Sequence, residues 1–174
     1  LGNMPATSAR QFITKLAKII QEDGEIGLLD ALLIEKVKAE LNLLPIHTPS
    51  SLENVKPQIV RLIDALLHVQ QINSANQLDV RYQILERVLT EDELELFEEI
   101  SDEPIDLGEI VNDIAGLLLR ERLIILGVAE VCLWNDRIIT QDELDVLELL
   151  YWRLGFETSE MIDQMQKKNS VMIF

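Results

Sequence analysis

The stretch from Leu107 to Trp134 constrains the fold more than any other. It contains no proline, and Ile110, Ile114, Leu117, Leu118, Ile124, Ile125, Val128 and Val131 recur in it at helical intervals. One long helix fits this run, or two joined near Arg120-Glu121-Arg122. A continuous helix would span about 40 Å at ~1.5 Å per residue. Residues 123–134 are apolar around much of the circumference, which predicts a central helix touched by neighbours on several sides. Nowhere does the chain alternate apolar and polar residues for long enough to argue a strand. Aromatics are only 5% of residues, and Leu and Ile dominate, which favours an aliphatic helical core over a β-sandwich.

The flanking sequence supplies further helices. Phe12, Ile13, Leu16, Ile19 and Ile20 predict a helix from Ser8, ended by Asp23-Gly24. A second runs from about Leu28 to Leu41 and stops before Pro45. After the loop 42–50, Ser50 with Glu53 offers a capping pair, and Pro57 fits the first turn of a helix through Ile59 to Val69. Residues 73–76 read as a turn, and Leu78 to Leu89 as a fourth helix. Thr90 with Glu93, and Asp106 with Glu109, mark two more starts. Leu144 to Leu154 forms a helix ended by Gly155, a last one covers 159–168, and Val171-Met172-Ile173-Phe174 is an apolar tail that docks on the body or serves as an interaction site. The expected fold is all-α, a single domain over 1–174 and a compact bundle of about seven to eight helices. Two helical-hairpin halves, 8–45 and 107–168, flank the long central helix.

Charge and cysteine content exclude several classes. The 31 acidic residues outweigh 15 basic ones, for a net charge of −16. Such a chain lacks the Lys/Arg patch that phosphate neutralisation demands, so nucleic acid is not an expected partner, and anionic membrane surfaces are disfavoured. A basic protein partner or a cation is compatible with this charge, as is plain solubility. The lone Cys132 sits in an apolar run and reads as a core residue, with no disulfide, in keeping with a reducing cytoplasm. The longest apolar block, Leu123 to Trp134, contains Glu130 and is too short to span a bilayer. No basic-then-apolar leader opens the sequence. His47 and His68 stand apart, without the spacing of a metal site.

Two turns resemble each other. Asp23-Gly24-Glu25-Ile26-Gly27-Leu28-Leu29-Asp30 and Asp136-Arg137-Ile138-Ile139-Thr140-Gln141-Asp142-Glu143 each follow an apolar helix and open an acidic one. The helices after them end at Leu41-Asn42 and Leu154-Gly155, the mark of a weak internal duplication. Both turns are similar to the helix–turn–helix signature of the TerB-like (tellurite-resistance-type) family, Asp-Gly-x-Ile-Ser/Thr-x-x-Glu ending near Leu-Gly. The second copy keeps Asp136, Ile139, Thr140 and Glu143 but has Arg137 for the glycine. The first keeps Asp23, Gly24 and Ile26 but has Gly27 for the hydroxyl and Asp30 for the glutamate. The resemblance, with one copy near each end, covers most of the chain.

These acids admit two readings. Thr140 and Glu143 form a capping pair that starts a helix with no ligand at all. Alternatively, Asp23, Asp30, Asp136 and Glu143 converge across a pseudo-twofold axis. Clustered carboxylates of that kind suit a hard divalent cation such as Ca²⁺, Mg²⁺ or Mn²⁺, or else Zn²⁺. The resemblance implies a non-enzymatic stress-response module that binds a protein partner, with or without that cation. A structural adaptor whose acidic faces pair with basic helices is the alternative, and a homo-oligomer is left open. A carboxylate-based enzyme has little support, because the chain has no Gly-rich phosphate loop and no nucleophile elbow.

Overall fold

A computed structural model describes residues 4–22, 24, 26–69, 74–97, 106–134 and 139–157, with backbone only over 74–77. Among these residues the secondary structure is entirely helical: α1 (Ala6–Glu22), α2 (Leu28–Glu40), a 3₁₀ turn (Leu52–Val55), α3 (Lys56–Val69), α4 (Ser74–Leu85), α5 (Glu91–Leu96), α6 (Leu107–Ala115), α7 (Leu119–Leu133) and α8 (Gln141–Arg153). The chain is thus an all-α bundle, as its periodicity predicts. None of these helices is long and apolar enough to cross a membrane. The expected last helix, 159–168, and the apolar tail lie outside the described residues.

The proline-free run is divided in two, with the break at Gly116 to Leu118 rather than near Arg120-Glu121-Arg122. The loop before α3 explains the position. Gly116 carbonyl accepts from Ser50 N–H at 3.1 Å, and a Cβ on Gly116 would meet the Thr48 carbonyl oxygen at 2.4 Å. Only glycine permits that approach. Ser50 is therefore bound through its backbone and does not cap a helix. The residue before the 3₁₀ turn is Ser51, whose side chain makes no cap bond. Pro57 takes the first turn of α3, where its missing N–H leaves no gap. Helix α4 begins at Ser74, inside the stretch expected to be a turn.

Helix α3 has neighbours on several sides. It packs against α2, α4, α6 and α7, and buries Ile59, Val60, Leu62, Ile63, Leu66 and Leu67. Helix α7, expected to be surrounded, turns Ile125, Leu126, Val128, Ala129, Cys132 and Leu133 inward against α3, α4 and α8, while Leu119, Leu123 and Ile124 face out. Arg81 on α4 donates to both oxygens of Asp64 on α3, at 2.6 and 3.2 Å, and to the Phe97 carbonyl at 2.8 Å, clamping these elements together.

The two similar turns open matching helices. Both α2 and α8 have 13 residues. In each, an acid at the third position bonds the backbone N–H of the residue before the helix. Both end in the same two-bond motif: Asn42 at φ 54° and Gly155 at φ 82° take the left-handed conformation, and Leu43 N–H and Phe156 N–H return to Lys38 and Tyr151 carbonyls. Each packs on the helix before it, and α2 and α8 also pack on one another.

Candidate functional site

Of the four candidate acids, the two that are described, Asp30 and Glu143, are engaged as caps. Asp30 accepts from Gly27 N–H at 3.2 Å. Glu143 accepts from Thr140 N–H at 2.6 Å and from its hydroxyl at 2.8 Å, while Thr140 Oγ1 accepts from Glu143 N–H at 3.3 Å. Gly27 has no side chain to reciprocate, so the first cap is one-sided. Glu143 is buried, at 2% exposure, against its own helix start. Asp23 and Asp136 lie outside the described residues. Among the described residues, no group of three or more His, Cys, Asp and Glu stands together as a metal ion would require.

Where α2 and α8 meet, the buried apolar register is interrupted by charge. Leu28, Ala31 and Leu32 lead to Glu35 on α2, and Val146, Leu149 and Leu150 to Arg153 on α8. Glu35 and Arg153 side chains are each 2% exposed. Arg153 Nε donates to Glu35 Oε2 at 3.2 Å, and Nη2 donates to Asn112 Oδ1 on α6 at 2.9 Å. Its Nη1 lies 3.1 Å from His47 Nε2 in the 43–50 loop. Arg153 is always cationic, so Nη1 donates and His47 is held as the tautomer protonated on Nδ1. One guanidinium thus ties α2, α6, α8 and the loop together.

Burial, reinforced by the Arg153 charge, holds the His47 pKa below its ordinary value, while Asn112 beside the ring opposes the shift. His47 Nδ1 is itself buried without a partner. On the other side, Lys38 Nζ donates to Glu35 Oε1 at 2.7 Å. A Cβ on Gly108 would stand 3.3 Å from Glu35 Oε1 and 3.2 Å from Asp106 Oδ1, so glycine in the first turn of α6 makes room for the Glu35 carboxylate.

Beside this hub opens a groove of about 410 Å³. Ile13 and Ala17 of α1 form one wall, Ile26, Ala31 and Ile34 the other, and Glu35, Lys38, Asp106 and Gly108 the polar end. The groove exists because α1 is held along one side only. It packs on α2, buries just Ala9, and leaves Phe12 and Ile19 exposed. The expected apolar face of α1 is present in the chain but is largely uncovered by the described residues.

Glu35, Asn112 and Arg153 had no motif to announce them. The available signal was a charged residue at a core position of each helix, three residues beyond Leu32 and Leu150. His47 owes its place to Arg153, whereas His68 is exposed. Cys132 is fully buried, and burial pushes its thiol up to about 12. Comparison with models of known protein families, with curated proteins and with solved structures finds no match to the chain.

Proposed function

We propose that this chain is a non-enzymatic, TerB-like helical module that binds a protein partner through the groove between α1 and the body. The observation that carries the reading is the half-covered apolar face of α1 above that groove. A partner segment with an apolar ridge fills such a space as a helix lies in a groove. The net charge of −16, with Asp106 exposed at the groove's end, selects a segment with basic flanks. The TerB-like reading rests on the resemblance of the two turns, whose described acids Asp30 and Glu143 cap the helices that follow. The stress-response setting follows from the resemblance.

The test is an NMR titration of the ¹⁵N-labelled chain with a synthetic amphipathic Leu/Lys helix. Amides of Ile13, Ala17, Ile34 and Gly108 are expected to shift, binding to weaken as salt rises, and Ile13→Glu to abolish it. Shifts spread evenly over the acidic surface, or binding indifferent to Ile13→Glu, reject the groove.

A further inference from the structure

The outer face of α7 is apolar and open. Leu119 is 56% exposed, Leu123 52%, Ile124 43% and, just past the helix end, Trp134 37%; Leu118 before the helix is 70% exposed. At ~100° per residue, Leu119, Leu123, Ile124, Gly127, Val131 and Trp134 fall in one stripe. Gly127 lies at its midpoint, and a Cβ there would meet nothing within 4 Å. A glycine inside an exposed helix weakens that helix relative to alanine and gives nothing back unless another backbone comes close. An open stripe of large apolar residues with a glycine at its centre therefore has the shape of a helix-crossing site.

We propose that this face joins two copies of the chain, their α7 helices crossing antiparallel on a two-fold axis at Gly127. Self-complementarity selects the occupant. Across such an axis Leu123 meets the second copy's Val131, Ile124 meets its Glu130, and Arg120 meets its Trp134. Arg120 is the exposed charge within the stripe, and Glu130 is half-buried at the other end, where it accepts from Tyr151 OH. A parallel pairing would set Arg120 against Arg120, whereas the antiparallel one sets each arginine over an aromatic ring. Glycine at the crossing lets the axes approach more closely than the usual 8–10 Å. The stripe itself carries no acid at its centre, so repulsion between two bodies of charge −16 acts from outside it and is screened over about 8 Å at physiological salt. Added salt therefore strengthens this contact, the opposite of its effect on a basic partner in the α1 groove.

Sedimentation equilibrium of the full chain over about 1–200 µM brackets a micromolar Kd. The expected result is a rise from the 19.9 kDa protomer towards twice that mass, more readily at high salt. Leu123→Glu and Ile124→Glu, at positions already exposed, should each weaken association at least tenfold while leaving the far-UV spectrum unchanged. Gly127→Cys should form an interchain disulfide under mild oxidation, because position 127 lies on the axis, while Glu148→Cys on exposed α8 surface should not. Cys132 stays silent in this assay because it is fully buried. Protomer mass at every concentration, association indifferent to Leu123→Glu, or equal cross-linking at 127 and 148 would each overturn the proposal. So would a chain that dimerises only after residues 158–174 are removed, since its own tail would then occupy the stripe.

Discussion

Replacing Arg153 by methionine isolates the energetics of the buried hub. The guanidinium is 2% exposed and serves Glu35, Asn112 and His47 together. Methionine has similar length and no charge, so the substitution leaves Glu35 buried with Lys38 as its remaining cation. Removing one partner of a buried pair costs about 3–5 kcal/mol, because the orphaned charge keeps its desolvation penalty. For a chain of this size each kcal/mol moves Tm by roughly 2–4 °C, so a drop of about 6–20 °C is expected. Glu35→Leu should fall in the same range, since it strands Arg153 among neutral acceptors. The double variant Glu35→Leu/Arg153→Met should recover most of the loss, because two apolar residues need no partner. Urea unfolding followed by circular dichroism, completed as a double-mutant cycle, reads all three. Single variants that each cost under ~1 kcal/mol, or a double variant as unstable as the sum of the singles, would refute the view of Arg153 as the tie between the two halves.

Other positions make smaller, independent demands. Thr140→Ala should cost about 1 kcal/mol through loss of the α8 cap, and a Tm within 1 °C of wild type would show that Glu143 alone holds the helix start. The Glu93 carboxyl is lowered to about 2, first by Lys56 and then by Thr90 N–H; its stabilisation is whole above the ordinary carboxylate range and lost as pH falls through about 2, so Lys56→Met should raise the midpoint of acid unfolding. His47, held below its ordinary 6.5, favours the fold fully above that pH and progressively less below it; His47→Gln keeps an acceptor for Arg153 and should flatten stability between pH 7 and 5 in urea titrations. Because Asp30 and Glu143 are engaged as caps, Ca²⁺, Mg²⁺, Mn²⁺ and Zn²⁺ should leave Tm at its EDTA value; a rise for one ion that Asp136→Asn removes would restore a metal reading of the turns.

Local rules made most helix boundaries legible in the sequence. Thr90-Glu93, Asp106-Glu109 and Thr140-Glu143 mark starts where the side chain–backbone bonds appear: Thr90 N–H to Glu93, Glu109 N–H to Asp106 and Thr140 N–H to Glu143. Those signals act within one turn of helix and depend little on the rest of the fold. The break at Gly116 was not legible, because its cause is the Thr48 carbonyl far along the chain. A run of apolar residues without proline permits a continuous helix, and tertiary contact decides whether it is one. The hub escaped for the same reason. Hydrophobic periodicity assigns Glu35 and Arg153 to core registers, but whether charge at such a register is paired depends on a residue 118 positions away in sequence.

The two similar hairpins differ in how far the first helix of each is covered. α1–α2 and α7–α8 share their second helix closely, with equal length, an N-terminal acid cap and a left-handed C-terminal residue. They differ in the first helix. Helix α7 has α3 and α4 beside it as well as α8, and six of its residues are buried; α1 has α2, and one is buried. Apolar residues on α7 therefore divide between a core side and an open stripe, while those on α1 remain half-exposed above the groove. The same supersecondary unit thus yields two unfilled apolar surfaces, on opposite terms. Salt separates them: a groove chosen by charge loosens as salt rises, and a stripe joining two acidic bodies tightens. Measuring peptide binding and self-association in the same salt series therefore tests both surfaces against each other, and parallel responses would contradict the assignment of at least one.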